Sequence, residues 1–151
     1  MINILCKIFT NKMLMSAAGS WLIAQILKTI IRLLVHHEFS LKQLFSDGGM
    51  PSGHSATVMA LTTSALILHG ADSPFFAISG VLAIIVMNDA AGVRREAGKH
   101  AERINELFDT LFSDKVSDSD KLKVLVGHTP IQVLMGALLG VTVGSIVCLC
   151  F

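Results

Sequence analysis

The last 22 residues, 130–151, read PIQVLMGALLGVTVGSIVCLCF and contain no charged side chain. A helix of this length and composition can cross the hydrocarbon core of a bilayer, which takes about 17–25 apolar residues. Upstream, residues 13–35, 54–69 and 75–91 form three further apolar stretches. The sequence therefore predicts an all-α fold, a polytopic membrane helix bundle with about four transmembrane helices, in a single domain over residues 1–151.

The composition of the whole chain agrees with a membrane location. Hydrophobic residues make up 52% of the chain, charged residues make up 15%, and the mean hydropathy is +0.66. Soluble domains carry about 25% charged residues. The net charge of +1 argues against a nucleic-acid partner, because a phosphate backbone requires a basic face. The three cysteines form no ligand or disulfide pattern, so neither a metal nor another cofactor is expected.

Residues 93–128 differ from the rest, since they hold seven Lys/Arg and seven Asp/Glu. Apolar residues recur there every three to four positions, which predicts an amphipathic helix at the membrane surface or against the other helices. They are Val93, Ala97, Ala101, Ile104, Phe108, Leu111 and Phe112. Residues 70–74, GADSP, predict a tight turn between two spans. With four spans, loops 36–53 and 92–129 share one side and hold eight Lys/Arg against two, which predicts a cytoplasmic location for these loops.

A candidate phosphate site lies in residues 48–56, GGMPSGHSA, at the mouth of the second apolar stretch. The N-terminus of a helix offers backbone N–H groups, and here a hydroxyl and an imidazole stand beside them. Ser52, Gly53 and His54 are therefore candidate phosphate-binding or catalytic residues. The structural alternative is a glycine-rich turn in which Ser52 only caps the helix.

A second histidine, His128, precedes the last apolar stretch in residues 127–136, GHTPIQVLMG. The inferred topology brings His54 and His128 to the same membrane face. Two imidazoles there suit phosphoryl transfer, with one as nucleophile and the other as general acid. The alternative is that each is a solvated histidine at the membrane interface.

Two cations interrupt the first span, which is otherwise apolar except for Gln25. Lys28 and Arg32 lie one turn apart and share a helical face with His36. A cation within a span is costly unless it pairs or reaches water, so Lys28 and Arg32 are expected to bind phosphate, pair with a carboxylate or extend to the interface.

The end of the third span carries further charges on the same side of the membrane. Arg94 and Arg95 offer guanidinium groups suited to bidentate phosphate binding. Asp89 is the one carboxylate within a span. It either pairs with Lys28 or Arg32, or orients a catalytic histidine.

Three ordered motifs resemble the divergent branch of the type 2 phosphatidic acid phosphatase and vanadium haloperoxidase superfamily, over residues 16–144. They are GGMPSGHSA at 48–56, DAAGVRREAGK at 89–99 and GHTPIQVLMG at 127–136. The resemblance implies that His54 is the general acid and His128 the nucleophile. Gln132 stands where the family has an aspartate that orients the nucleophile.

The sequence departs from the family pattern at other positions. Leu122 stands where an arginine precedes the nucleophile by six residues, and Lys28 lacks the arginine-proline pair that usually follows it. Arg94 and His100 reproduce the arginine-to-histidine spacing, so His100 is a rival nucleophile. His128 is preferred because it directly precedes a membrane span.

The resemblance implies a metal-independent lipid phosphate phosphatase that works through a phosphohistidine. Its substrate would be a lipid such as phosphatidylglycerol phosphate, phosphatidate or a polyprenyl pyrophosphate. Arg94 and Arg95 would supply the missing phosphate ligands and Asp89 the missing carboxylate. The implied partners are the substrate lipid and the bilayer, and self-association into a homo-oligomer stays open.

Two other functions stay open. A catalytically degenerate membrane protein could bind anionic headgroups or a partner protein. Vanadate-dependent halide oxidation is a third alternative, although the sequence indicates no peroxide or halide site.

Overall fold

The computed structural model describes residues 2–36, 49–111, 122 and 127–150, and in these residues the chain is helical with short connections and no strand. Helix α1 is short and precedes the longest helix, α2. A hairpin of α3 and α4 follows, then one π-helical turn that continues into α5, and α6 ends the described chain. The bounds are Ile2–Phe9 for α1, Lys12–His36 for α2, Gly53–His69 for α3, Pro74–Asn88 for α4, Asp89–Val93 for the π turn, Arg94–Leu111 for α5 and Pro130–Cys150 for α6.

Small residues form the core of the described bundle. Ala24, Ala56 and Ala60 are fully buried, together with Ser20 and Ser64. Most of the large apolar side chains on α2, α4 and α6 lie on the outside instead. This arrangement suits a bilayer, in which apolar side chains gain little by leaving lipid and close packing of small residues holds helices together.

Helix α3 lies at the centre of the bundle, in contact with α2, α4 and α6. Its contact with α6 runs along three glycines spaced four residues apart, Gly136, Gly140 and Gly144. A Cβ atom added at Gly140 would overlap the carbonyl oxygen of Ala56, and one added at Gly144 would lie 2.9 Å from that of Ala60. The two helix backbones are therefore in direct contact.

Side-chain hydroxyls connect α3 to its other two neighbours. Ser20 Oγ on α2 donates to the carbonyl oxygen of Ala56 at 3.0 Å. Thr62 Oγ1 on α3 lies 3.0 Å from the carbonyl oxygen of Ser79 on α4 and also donates to Val58 of its own helix. Such bonds satisfy hydroxyl groups that the bilayer cannot hydrate.

The hairpin predicted between the second and third spans is confirmed. Helix α3 ends at His69 and is capped by Gly70, whose positive φ of 84° is readily adopted by glycine and whose N–H donates to the carbonyl oxygen of Leu66. Ser73 then caps α4 by accepting a hydrogen bond from the N–H of Phe76 at 3.2 Å, and Pro74 occupies the first helical position.

The predicted membrane helix bundle is also confirmed, although the estimate of four spans was approximate. Three helical segments of the described chain are long and apolar enough to cross a bilayer, namely Lys12–Val35, Pro74–Leu111 and Pro130–Cys150. The second segment joins α4, the π turn and α5. Helix α3, the second predicted span, is not among them and has 17 residues. Its small and polar residues face its neighbours, so it serves as the packing core of the other helices.

Helix α5 agrees with the amphipathic helix predicted for the charged segment, although Val93 belongs to the π turn and Phe112 lies outside the described residues. Its polar face carries an ion pair between Lys99 and Glu96 at 2.7 Å. Asn105 donates to and accepts from the backbone of Leu122, at 2.9 and 2.8 Å, and so holds Leu122 against the helix. Apolar side chains of α5, including Leu107, lie exposed.

Candidate active site

The stretch predicted to bind phosphate forms the start of α3. Ser52 is the N-cap of this helix, and its hydroxyl oxygen accepts from the N–H of Ser55 at 3.4 Å and from the Ser55 hydroxyl at 3.1 Å. The capping role considered for Ser52 is therefore confirmed. The N–H of Ser52 donates to the carbonyl oxygen of Gln132 at 3.0 Å, so it is already used within the fold. Gly53 and His54 are the first two residues of α3, and N–H groups in this first turn have no acceptor within a helix.

Two cations of α2 lie against Gly49, which precedes this helix. A Cβ atom added at Gly49 would lie 3.2 Å from Arg32 Nη2 and 3.3 Å from Lys28 Cγ. Gly49 has a φ of 101°, which together with this close approach requires glycine. The Lys28 side chain is only 3% exposed. The shared face predicted for Lys28 and Arg32 is thus directed at Gly49, four residues before the start of α3.

The second histidine is buried at the start of α6. His128 is 2% exposed, and its Nδ1 lies 3.2 Å from Gln132 Oε1. The same Oε1 accepts the N–H of Thr129 at 3.0 Å. Thr129 immediately precedes α6 and Gln132 is its third residue, so this glutamine makes the return bond of a capping box.

These two bonds determine which ring nitrogen of His128 carries the proton. The N–H of Thr129 can only donate, so the Gln132 atom that faces it must be the amide oxygen. This oxygen accepts from His128 as well, and Nδ1 must therefore be protonated. In the neutral imidazole Nε2 then carries the lone pair. Gln132 thus selects the tautomer in which Nε2 has the lone pair that a nucleophile requires.

Two backbone hydrogen bonds bring the three sequence motifs together. The N–H of Ser52 reaches Gln132, and the N–H of His128 donates to the carbonyl oxygen of Ala90 at 3.1 Å. Ala90 lies in the π turn directly after Asp89, and such turns often occur at functional sites. The start of α3, the π turn and the start of α6 therefore meet at one end of the bundle.

The other predicted residues occupy different positions. The His54 and Asp89 side chains are half-buried, at the second residue of α3 and the first of the π turn. Arg95 and His100 lie on α5 with exposed side chains. Arg94 begins α5, and the position of its side chain is outside the described structure, as is that of His36.

Gln25 belongs to this region but received no role from the sequence. Its side chain is 9% exposed, and its Oε1 is buried without a hydrogen-bond partner. A Cβ atom added at Gly53 would lie 3.8 Å from its Nε2. The sequence feature that could have placed Gln25 in the site is its spacing. Gln25 precedes Lys28 by three residues and Arg32 by seven, so the three share one helical face.

In the described part of the chain, no group of three or more His, Cys, Asp or Glu side chains could hold a metal ion. The chemistry available at the site is that of imidazoles, cations and helix N-termini. Such groups can bind and transfer phosphoryl groups.

Comparisons with known proteins agree with the motif resemblance. A family model described as "Divergent PAP2 family" matches residues 9–143. The chain is 40% identical over 146 residues to the "Uncharacterized membrane protein YuiD" of Bacillus subtilis (strain 168), which covers 89% of this chain and 92% of the relative. No solved structure matches the chain at a significant level.

Proposed function

The chain belongs to the divergent PAP2 family and is an integral membrane protein, and on this premise we propose that it is a membrane lipid phosphate phosphatase. The proposed reaction is metal-independent hydrolysis of a phosphomonoester or pyrophosphate lipid through a phosphohistidine. The observation that carries the proposal is the hydrogen bond between the buried His128 and the half-buried Gln132, beside the start of α3 and the π turn.

In the proposed first step, Nε2 of His128 attacks phosphorus and the bond from phosphorus to the lipid oxygen breaks. The electron pair leaves with that oxygen, and His54 protonates it. Lys28, Arg32 and the N–H of Gly53 stabilise the negative charge on the equatorial oxygens, as preorganised donors do in phosphoryl transfer.

In the second step, water attacks the phosphohistidine and gives its proton to His54. The phosphorus–nitrogen bond breaks, the electron pair returns to Nε2 of His128, and inorganic phosphate leaves. Gln132 keeps the imidazole in the reactive tautomer in both steps. Asp89 supplies the negative charge that Gln132 lacks, and Arg94 and Arg95 add phosphate ligands.

The proposed substrates are lipids whose phosphate lies at headgroup depth, such as phosphatidylglycerol phosphate, phosphatidate or a polyprenyl pyrophosphate. The predicted site lies at the mouth of the spans, where a lipid anchored in the bilayer presents its phosphate. Eight basic residues in loops 36–53 and 92–129, against two on the other side, favour a cytoplasmic site.

Phosphate release from a panel of these lipids in detergent, with EDTA present, tests the proposal. We expect turnover to survive the chelator, and we expect vanadate to inhibit because it mimics the trigonal-bipyramidal transition state. If EDTA removes activity and magnesium restores it, the metal-independent mechanism is wrong. If no lipid is hydrolysed, the protein is better interpreted as a binder of anionic headgroups or of a partner protein, which its neutral Gln132 and the leucine at 122 favour.

The role of Gln132 gives a second prediction. We expect Gln132→Leu to lower kcat by roughly 10²-fold or more, because the leucine cannot hold His128 in the reactive tautomer. Gln132→Glu keeps an acceptor for both donors and adds negative charge, so its kcat should equal or exceed that of the wild type. Steady-state kinetics of both variants measure kcat. Thermal unfolding measures the stability lost with the bond from the N–H of Thr129, so that kcat can be expressed per mole of folded protein. Equal kcat in the leucine variant and the wild type would contradict the orienting role.

A further inference from the structure

The amide oxygen of Gln25 is a buried acceptor with no partner in the described structure. Burying a polar atom without a hydrogen bond is unfavourable, and native proteins keep few such atoms. The Gln25 side chain is 91% buried, since only 9% of its surface is exposed. An acceptor held in this state next to a binding site indicates a donor supplied by the ligand.

The amide lies beside the first turn of α3, just below the two cations. A Cβ atom added at Gly53 would meet Gln25 Nε2 at 3.8 Å, whereas one added at Gly49 would meet the Lys28 and Arg32 side chains. Gln25 precedes Lys28 by three residues, so it lies about 4.5 Å deeper along α2. The order from the mouth of the bundle inwards is therefore Arg32, Lys28 and then Gln25.

This order separates the binding of phosphate from the binding of the rest of the substrate. A phosphate dianion has only acceptor oxygens, so Gln25 Oε1 would repel it, whereas the cations attract it. The chains of a lipid extend towards the bilayer interior. The part of the substrate at the depth of Gln25 is thus the leaving group that follows the ester oxygen.

Resting on the proposed function, we propose that Gln25 Oε1 accepts a hydrogen bond from a hydroxyl of the leaving group, and that the site selects phosphomonoesters of a polyol. A glycerol phosphate headgroup carries such a hydroxyl on the carbon next to the ester carbon. Phosphatidate, whose glycerol hydroxyls are acylated, and polyprenyl pyrophosphates have none. A site built for a hydroxyl disfavours ligands that lack it, because its buried acceptor is left unpaired.

The test measures binding, so it does not depend on turnover. The purified full-length protein in detergent is titrated with sn-glycerol 3-phosphate and with propyl phosphate, and ligand affinity is read from the rise in Tm. We expect the wild type to bind glycerol 3-phosphate roughly three- to tenfold more tightly. Gln25→Met, which keeps the length and removes the acceptor, should bind both compounds equally.

Ser16→Ala is the matched control, because it removes a hydroxyl from α2 that donates to the carbonyl oxygen of Lys12 at the opposite end of the helix. It should keep the wild-type preference. Equal binding of the two compounds by the wild type, including no binding of either, would overturn the inference, and so would a preference that persists in Gln25→Met. Phosphate release is measured in parallel: a Gln25-dependent preference without turnover on any lipid would refute the phosphatase and leave the hydroxyl site supported.

Discussion

Replacing His128 with alanine is expected to reduce phosphate release to background, a loss of about 10⁴–10⁶-fold, since a covalent mechanism cannot proceed without its nucleophile. The buried imidazole has its Nδ1 directed to Gln132, so the lone pair of the neutral ring is on Nε2. The start of α6 should persist in the variant, because the bond from the N–H of Thr129 to Gln132 does not involve the histidine side chain.

The matched variant is His100→Ala. His100 has an exposed side chain on α5, so its removal should leave both turnover and folding unchanged. Phosphate release is measured per mole of folded protein. Helix content from circular dichroism and the elution volume in gel filtration show whether each variant is folded. A fully active His128→Ala together with an inactive His100→Ala would assign the nucleophile to His100.

Periodicity and turn chemistry predicted helices α2 to α6, although not the short α1 or the π turn. The uncharged run at the C-terminus became α6, and Gly70 and Pro74 mark the predicted hairpin because both act through local backbone geometry. The three-to-four-residue spacing in the charged segment similarly anticipated α5. These signals come from residues that are close together in the sequence, so they do not depend on how the helices pack.

The role of α3 could not be predicted from hydropathy. Its alanines and serines are only moderately apolar, yet they fill the centre of the described bundle, while leucines and isoleucines of its neighbours face outward. Mean hydropathy is highest for segments of large apolar side chains, whereas helices in lipid associate through small side chains. Which helix is central depends on the spacing of Gly136, Gly140 and Gly144 relative to Ala56 and Ala60, a long-range match between two segments.

In the candidate site, too, features set by local sequence could be predicted, whereas features set by helix packing could not. The shared face of Lys28 and Arg32 follows from helical spacing, and it does lie against Gly49, which precedes α3. Two other features depend on how α2, α3 and α6 pack, which no single motif encodes. They are the hydrogen bond from the N–H of Ser52 to Gln132 and the unpartnered oxygen of Gln25. In the sequence, only the helical spacing of Gln25 relative to Lys28 and Arg32 indicated that it belongs to the site.

The contact between α3 and α6 both holds the bundle together and positions His128 relative to His54. Ser52 N–H bonds to Gln132, and about two turns further along α6 Gly140 lies against the backbone of Ala56 and Ala60. A side chain at position 140 would therefore separate the helices at the site as well as in the core. Stability and turnover are expected to fail together there.

Gly140→Leu should prevent α3 and α6 from packing, and the smaller Gly140→Ala should destabilise the protein by about 1–3 kcal/mol, the usual cost of overpacking. A Cβ atom at this position would overlap the Ala56 carbonyl oxygen and approach the Ala60 nitrogen to 2.9 Å, and backbone atoms cannot rotate away. Gly80 in α4 is the matched control, because a Cβ added there meets nothing within 4 Å. Alanine is the better helix former, so Gly80→Ala should leave the Tm in detergent unchanged or raise it, the opposite sign to Gly140→Ala. If the two alanine variants shift the Tm equally, the glycines of α6 are not required for close contact with α3, and the described packing of the two helices is wrong.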